Sequence, residues 1–335
     1  MNKTNRQNHP PAQTINAISS GYRQAQVLLA ANRLGIFSTL GRETMTAESL
    51  ARAIAADPRA TRILCDALVS LSLLEKRQGL YRNSKPALEF LLDDAPLSQN
   101  ALLRHGATLY ERWGKLYDVV KTGRPAGADT IDPRLGETEH DFARAMASTG
   151  RLSAIETAGK LDLSRARRLL DVGGGPGIYA IEFARRYPHL EVVVFDHAET
   201  LEVARANLDR AGLANRVSLR AGDAFQDDPG TGYDFVFLSN VIHSYSARQN
   251  QLLVARIEAS LTSGGRLGIK DFLLAPDRTS PRQACLFAVN MLVGTDTGDC
   301  YTLGEIKEWM RHAHLIWERS IKLAPPSRLV LGRKG

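Results

Sequence analysis

The chain has 335 residues, 44% hydrophobic, 24% charged and 7% aromatic, a balance that excludes disordered and collagen-like classes and allows two domains with separate cores. No apolar run approaches the roughly 18 residues of a membrane span, and the polar N-terminus lacks the apolar stretch of a secretion signal, so residence in the cytoplasm is expected. The net charge of +7 is interleaved with acids rather than gathered in a run, which argues against a nucleic-acid partner; Cys65, Cys285 and Cys300 form neither a disulfide framework nor a zinc spacing, so no metal is expected.

In chain order, residues 1–15 read as a disordered tail, 16–135 as a helical domain, 136–164 as a connecting helix and 165–335 as an α/β domain. Apolar positions recur every three or four residues from 24 to about 92. One helix is expected over 25–40. Thr46 caps the next, over 47–55, and Asp57-Pro58 starts a third with Ile63, Leu64, Leu68 and Leu71 on its apolar face. A hairpin over 74–84 turns at Gln78-Gly79. Helix, turn, helix and hairpin in that order make a winged helix. Further helix is expected over 97–120, then a loop rich in Gly, Pro and Asp over 122–136, then a helix over 142–161.

Beyond Arg165 the pattern changes character. Short apolar runs at 168–172, 191–195, 217–220, 235–238 and 266–272 alternate with amphipathic helical stretches, one of them over 251–261 and closed by Gly264-Gly265. Such alternation specifies a doubly wound, mostly parallel sheet with helices on both faces. Thr302 and Glu305 form a capping box for a helix to about His312, and strands at 316–323 and 328–331 finish the chain.

The first strand runs into Asp171-Val-Gly173-Gly-Gly175-Pro-Gly177-Ile178. Glycines serve where backbone approaches a ligand or takes positive φ, and the carboxyl ends of strands are where open α/β sheets bind ligands; the plainer reading is a structural turn. A nicotinamide fingerprint would need glycine where Ile178 stands. The spacing that is present, preceded by Asp171, suits a cationic ligand without a pyrophosphate, as S-adenosylmethionine is. Asp196 after the second strand is placed for ribose hydroxyls, and Asp223, within Gly222-Asp223-Ala224-Phe225, for the adenine amino group with Phe225 over the ring. Each of these also reads singly as a turn or core residue.

The fourth strand ends in Ser239-Asn240-Val-Ile-His243, which puts Ser239 and Asn240 beside the ligand and His243 at the same edge. An activated methyl group needs alignment and a base for the acceptor hydroxyl, and a neutral imidazole suits the second task; helix capping is the alternative role for His243. Asp271 and Asp299 are the acids available to orient it, and each also reads as a solvated loop charge. Acceptor contacts are expected from Trp113, Met146, Asn290 and Met291, although a methionine on an apolar helix face also reads as core.

From about Gln24 to Lys334 the chain resembles the dimeric small-molecule O-methyltransferases, the group of plant caffeic-acid O-methyltransferase, hydroxyindole O-methyltransferase and bacterial antibiotic-biosynthesis enzymes. The residues that carry the resemblance are Leu170 to Gly177, Phe195-Asp196, Gly222 to Phe225, Asn240 to His243 and the winged helix. It implies S-adenosylmethionine as cofactor, homodimerisation through the N-terminal domain, a small-molecule acceptor with a hydroxyl on an aromatic or polyketide-like skeleton, His243 as catalytic base and Asp271 as an orienting acid. Where the family has Asp-Trp after its histidine this chain has Ser244-Tyr245, and the family's second acid falls at about Cys300, with Asp299 one residue away. Two other functions fit parts of the pattern: carbon or nitrogen methylation, or hydroxylation, on the same fold and cofactor, and a winged-helix DNA-binding regulator, for which Arg59, Arg62 and Lys76 are the basic residues near the third helix.

Overall fold

The computed structural model describes residues 10–95, 97–125 and 139–335. Contacts divide the chain into two compact units, Met1–Gly106 and Ala107–Gly335. The division falls between Gly106 and Ala107 rather than at residue 135.

The first unit holds α1 (Pro10–Ser20), α2 (Tyr22–Arg33), α3 (Ile36–Leu40), α4 (Ala47–Ala53), α5 (Pro58–Ser70) and α6 (Lys85–Phe90) with a small sheet of β1 (Met45–Thr46), β2 (Leu74–Arg77) and β3 (Leu80–Asn83) in the order β1-β3-β2. The unit is therefore mainly rather than wholly helical. Thr46 caps α4 and Asp57 caps α5, each accepting from the backbone N–H three residues on. The β2–β3 turn has positive φ at Gln78 and Gly79, the conformation that matches strand twist in a two-residue hairpin. Two expectations are corrected. The chain is helical from Pro10, so the tail does not extend to residue 15, and the helix expected over 25–40 breaks into α2 and α3 at Gly35, whose φ of 71° no regular helix accommodates. On α5, Asp66 accepts from Lys76 at 2.7 Å, from the Tyr81 hydroxyl at 2.7 Å and from Arg62 at 3.0 Å, tying helix to wing.

α7 (Asn100–Trp113) crosses the division, and Gly114 and Lys115 separate it from α8 (Leu116–Thr122), where one helix over 97–120 was expected. The expected loop over 122–136 lies outside the described residues from 126 onward. After α9 (Glu139–Lys160) come β4 (Arg168–Val172), α10 (Ile178–Arg186), β5 (Glu191–Asp196), α11 (Ala198–Ala211), β6 (Val217–Ala221), β7 (Tyr233–Ser239), α12 (Ala247–Ser260), β8 (Leu261–Phe272), α13 (Arg282–Gly294), α14 (Leu303–His312), β9 (Leu315–Lys322) and β10 (Ser327–Lys334). The sheet order is β6-β5-β4-β7-β8-β10-β9, with β10 antiparallel to both neighbours and the other pairs parallel. Gly264 and Gly265 do not close α12, because β8 begins at Leu261 directly behind the helix.

Central strands are buried on both faces and so read as unbroken apolar runs. Phe235 and Phe237 are fully buried, and each such side chain is worth about 2 kcal/mol. The order in which successive strands join the sheet reverses between β4 and β7, the switch point at which doubly wound folds hold ligands.

Candidate active site

The glycine turn closes over the end of β4. A side chain at Gly173 would bring its Cβ to 2.6 Å from Val241 Cγ2, so only glycine fits; Gly175 has a φ of 54° and open space where a Cβ would stand. Gly177 then caps α10. Beneath the turn Asp171 is wholly buried, and neither carboxylate oxygen has a hydrogen-bond partner among the described residues. Burial, reinforced by the charge of Asp196, pushes this carboxyl up to about 8. An orphaned buried acid under a glycine cradle calls for a cation.

Asp196 Oδ2 accepts from the Gly175 N–H and Oδ1 from the His197 N–H, both at 2.7 Å. Each oxygen keeps a lone pair for a ligand hydroxyl. Burial raises this carboxyl and those two backbone donors oppose the rise. Gly222 N–H donates to Asp196 O at 3.0 Å, which joins the Gly222–Phe225 segment to the end of β5. Asp223 Oδ1 accepts from the Phe225 N–H at 2.6 Å, and Ala224 O accepts from Arg256. The Phe225 ring meets Tyr245 edge-on at 4.7 Å. The sequence marked Tyr245 only as a departure from the family's Asp-Trp and gave it no ligand role. Its phenol is raised by burial and by the charges of Asp223 and Asp196, which places it with the residues expected around an adenosine.

At the end of β7, Ser239 is buried with a hydroxyl that has no partner among the described residues, and Asn240 turns the chain with a φ of 57°. The Asn240 N–H donates to Lys270 O at 2.8 Å and Asn240 Oδ1 accepts from Lys270 Nζ at 2.9 Å. Three residues on, His243 Nδ1 lies 2.8 Å from Asp271 Oδ1. A carboxylate only accepts, so Nδ1 carries the proton and Nε2 presents its lone pair. Asp271 is 1% exposed; Oδ1 also accepts from the Phe272 N–H, and Oδ2 has no partner among the described residues. The ends of adjacent strands β7 and β8 thus bring this imidazole and carboxylate to one corner.

Asp299 does not orient the histidine. Its side chain is bound by Arg278 and by the Cys300 N–H, and only its backbone N–H reaches His243, donating to the carbonyl at 3.0 Å. Arg278 also pairs with Glu305 and donates to Cys300 O, so this acid belongs to a surface network. Cys300 cannot replace it, since burial, then the charges of Asp271 and Asp299, push its thiol up to about 12.

The structure brings Trp113 and Asn290 together, with indole Nε1 donating to Asn290 Oδ1 at 2.8 Å. Met291 is buried on α13, one residue beyond Asn290. Met146 is half-buried on α9 and tied to this cluster by no hydrogen bond of its side chain. Phe287, missed in the sequence, packs edge-on against His243 at 4.9 Å and Phe272 at 4.7 Å. Its spacing of three and four from Asn290 and Met291 puts all three on one face of α13 and would have found it.

Residues 113–314 match the O-methyltransferase domain and residues 17–93 the O-methyltransferase dimerisation domain. The chain is 32% identical over 92% of its length to the 3-hydroxy-5-methyl-1-naphthoate 3-O-methyltransferase of Streptomyces sahachiroi, of which it covers 91%. It is 28% identical to the tetracenomycin polyketide synthesis 8-O-methyl transferase of Streptomyces glaucescens, with 95% of both chains covered. Human N-acetylserotonin methyltransferase in complex with S-adenosylmethionine has the same fold, with a TM-score of 0.86, 27% identity and 100% of both chains covered. The chain belongs to the O-methyltransferase family, as an S-adenosylmethionine-dependent methyltransferase with its dimerisation domain in front.

Proposed function

We propose that the enzyme methylates a phenolic hydroxyl of a small aromatic or polyketide-like molecule, with His243 as general base. The observation that carries this reading is the His243–Asp271 pair, held 2.8 Å apart at the ligand-binding edge of the sheet with Nε2 free to accept a proton. When bound, S-adenosylmethionine supplies a methyl group already activated by its sulfonium. Gly173, Gly175 and Asp171 would hold its amino-acid end, Asp196 the ribose, and Asp223, Phe225 and Tyr245 the adenine. Nε2 takes the acceptor's hydroxyl proton, and Asp271 stabilises the imidazolium that results. Trp113, Asn290, Met291, Met146 and Phe287 are the acceptor contacts on this reading. The acceptors of the two Streptomyces relatives, a hydroxynaphthoate and a tetracenomycin polyketide, support a fused-ring phenol.

The same reading makes the protein a homodimer. Ile15, Ile18 and Tyr22 are 66%, 69% and 52% exposed on α1 and α2, apolar surface that a second dimerisation domain would cover. Arg62 and Lys76 are engaged by Asp66, which argues against a DNA-reading wing. Cytoplasmic residence accords with three unpaired cysteines. Substituting His243→Ala tests the assignment: calorimetry should find the affinity for S-adenosylhomocysteine unchanged while kcat on a hydroxynaphthoate falls on the order of 10²-fold or more. Undiminished turnover would remove the base.

A further inference from the structure

Two buried ionisable groups, an acid and a lysine, flank the end of β7, and neither has a counter-ion among the described residues. On β4, beside it, stands Asp171 with both oxygens unpartnered. On β8, at its other side, stands Lys270, 2% exposed, whose backbone registers with Ser239. Asp171 registers with Phe237, and Phe237 packs on Tyr179 and Phe183 of α10; Lys270 Nζ lies 5.7 Å from that same Tyr179 ring. Acid and lysine therefore share one face of the sheet, two strand spacings across and two residues along, roughly 12 Å apart between backbones.

Among the described residues Lys270 has no carboxylate in ion-pair range. Its ammonium has the Asn240 amide oxygen at 2.9 Å and the faces of Tyr179 and Phe272, the latter at 5.5 Å. Glu156 feels its charge, but that carboxylate is spent on Lys160 Nζ at 2.7 Å and the Ala324 N–H at 2.9 Å. An ammonium buried among rings and one amide is unfavourable unless an anion completes the site.

The amino-acid tail of S-adenosylmethionine is a zwitterion, one cation and one anion on a single carbon. We propose that Lys270, acting with the Asn240 side chain that it holds, recognises the carboxylate of that tail while Asp171 answers its ammonium, so that the enzyme selects adenosyl ligands with an intact amino-acid end. The inference rests on S-adenosylmethionine as donor and on the turn as its cradle.

Calorimetry with three ligands tests it without turnover: S-adenosylhomocysteine, its decarboxylated analogue, and 5′-methylthioadenosine, which lacks the whole tail. The wild-type protein should prefer S-adenosylhomocysteine to the decarboxylated analogue by on the order of 10-fold or more, the worth of one charge-assisted contact. Lys270→Met should erase that preference, losing affinity for S-adenosylhomocysteine alone, while Lys270→Arg keeps it. Asn240→Gly, which tolerates the positive φ and removes the amide, should reduce the preference too, and it carries the test if Lys270→Met does not fold. Equal wild-type affinity for the first two ligands, or equal weakening of all three by Lys270→Met, would overturn the inference and leave the lysine a packing role. A wild-type protein that bound none of the three would instead overturn the donor assignment.

Discussion

Replacing Asp171 by Asn interrogates the glycine turn through a proton. In the folded protein burial, then the charge of Asp196, push this carboxyl up to about 8 from an ordinary value of 3.8. Below pH 3.8 both folded and unfolded chains hold the proton, and the group is neutral toward stability. As pH rises from there the unfolded chain releases its proton while the folded one keeps it, so folding is progressively disfavoured until about pH 8, beyond which the penalty is constant. At pH 7 that penalty is at most about 4 kcal/mol. Ligand-free Asp171→Asn should therefore melt above the wild type at pH 7 and 8, the gain shrinking toward zero near pH 4. Ligand binding reverses the sign. A cation beside the carboxyl favours its ionised form, and a group with a pKa of about 8 is roughly nine-tenths protonated at pH 7. Binding of S-adenosylhomocysteine should accordingly release close to one proton, read as the slope of calorimetric enthalpy against buffer ionisation enthalpy. The variant should bind more weakly and release almost none. A buffer-independent enthalpy for the wild type, or an Asp171→Asn variant that binds as tightly as the wild type, would refute the reasoning.

Two further substitutions separate the acids and probe the cradle. Asp271→Asn removes the charge beside His243 Nδ1, a contact worth about 1.5–3 kcal/mol, so kcat should fall roughly 10- to 100-fold in steady-state assays with S-adenosylhomocysteine affinity unchanged. Asp299→Asn, which only loosens a pair with Arg278 exposed by 39% and 43%, should change kcat less than about 3-fold; matching losses would restore Asp299 as an orienting acid. Gly175→Ala forces a side chain into a φ of 54° at a cost of about 1–2 kcal/mol and fills the open cradle, so S-adenosylhomocysteine affinity should drop on the order of 10-fold by calorimetry. Unchanged affinity would mean that no ligand approaches that backbone.

The parallel core was legible because strands covered on both faces are apolar throughout and end at turn residues, as 168–172 and 191–196 do. Caps were equally legible, Thr302 with Glu305 forming the expected box. Boundaries set by backbone conformation were not. The apolar periodicity runs through Gly35, so nothing in it marks the break between α2 and α3. Nor did the polar composition before residue 16 reveal α1, whose Ile15 and Ile18 face outward and give a single chain no core signal. At the site, the residues on strand ends could be named from spacing alone, since topology brings all such ends to one edge. The choice between Asp271 and Asp299 needed the neighbouring strand pair β7–β8 and the competing cation Arg278, which arrives from a loop distant in sequence. Lys270 went unnoticed because a lone lysine in an apolar strand reads as an edge or an end, whereas here its ammonium is enclosed by Tyr179, Phe272 and Asn240.

The central claim, oxygen methylation at the His243–Asp271 corner, is tested most directly by the product. S-adenosylmethionine labelled with ¹³C in its methyl group, incubated with the enzyme and a hydroxynaphthoate acceptor, should yield a single product one methyl heavier whose labelled carbon resonates as an aryl methoxy group. A labelled methyl on ring carbon, or a product that gains oxygen and no label, would contradict it.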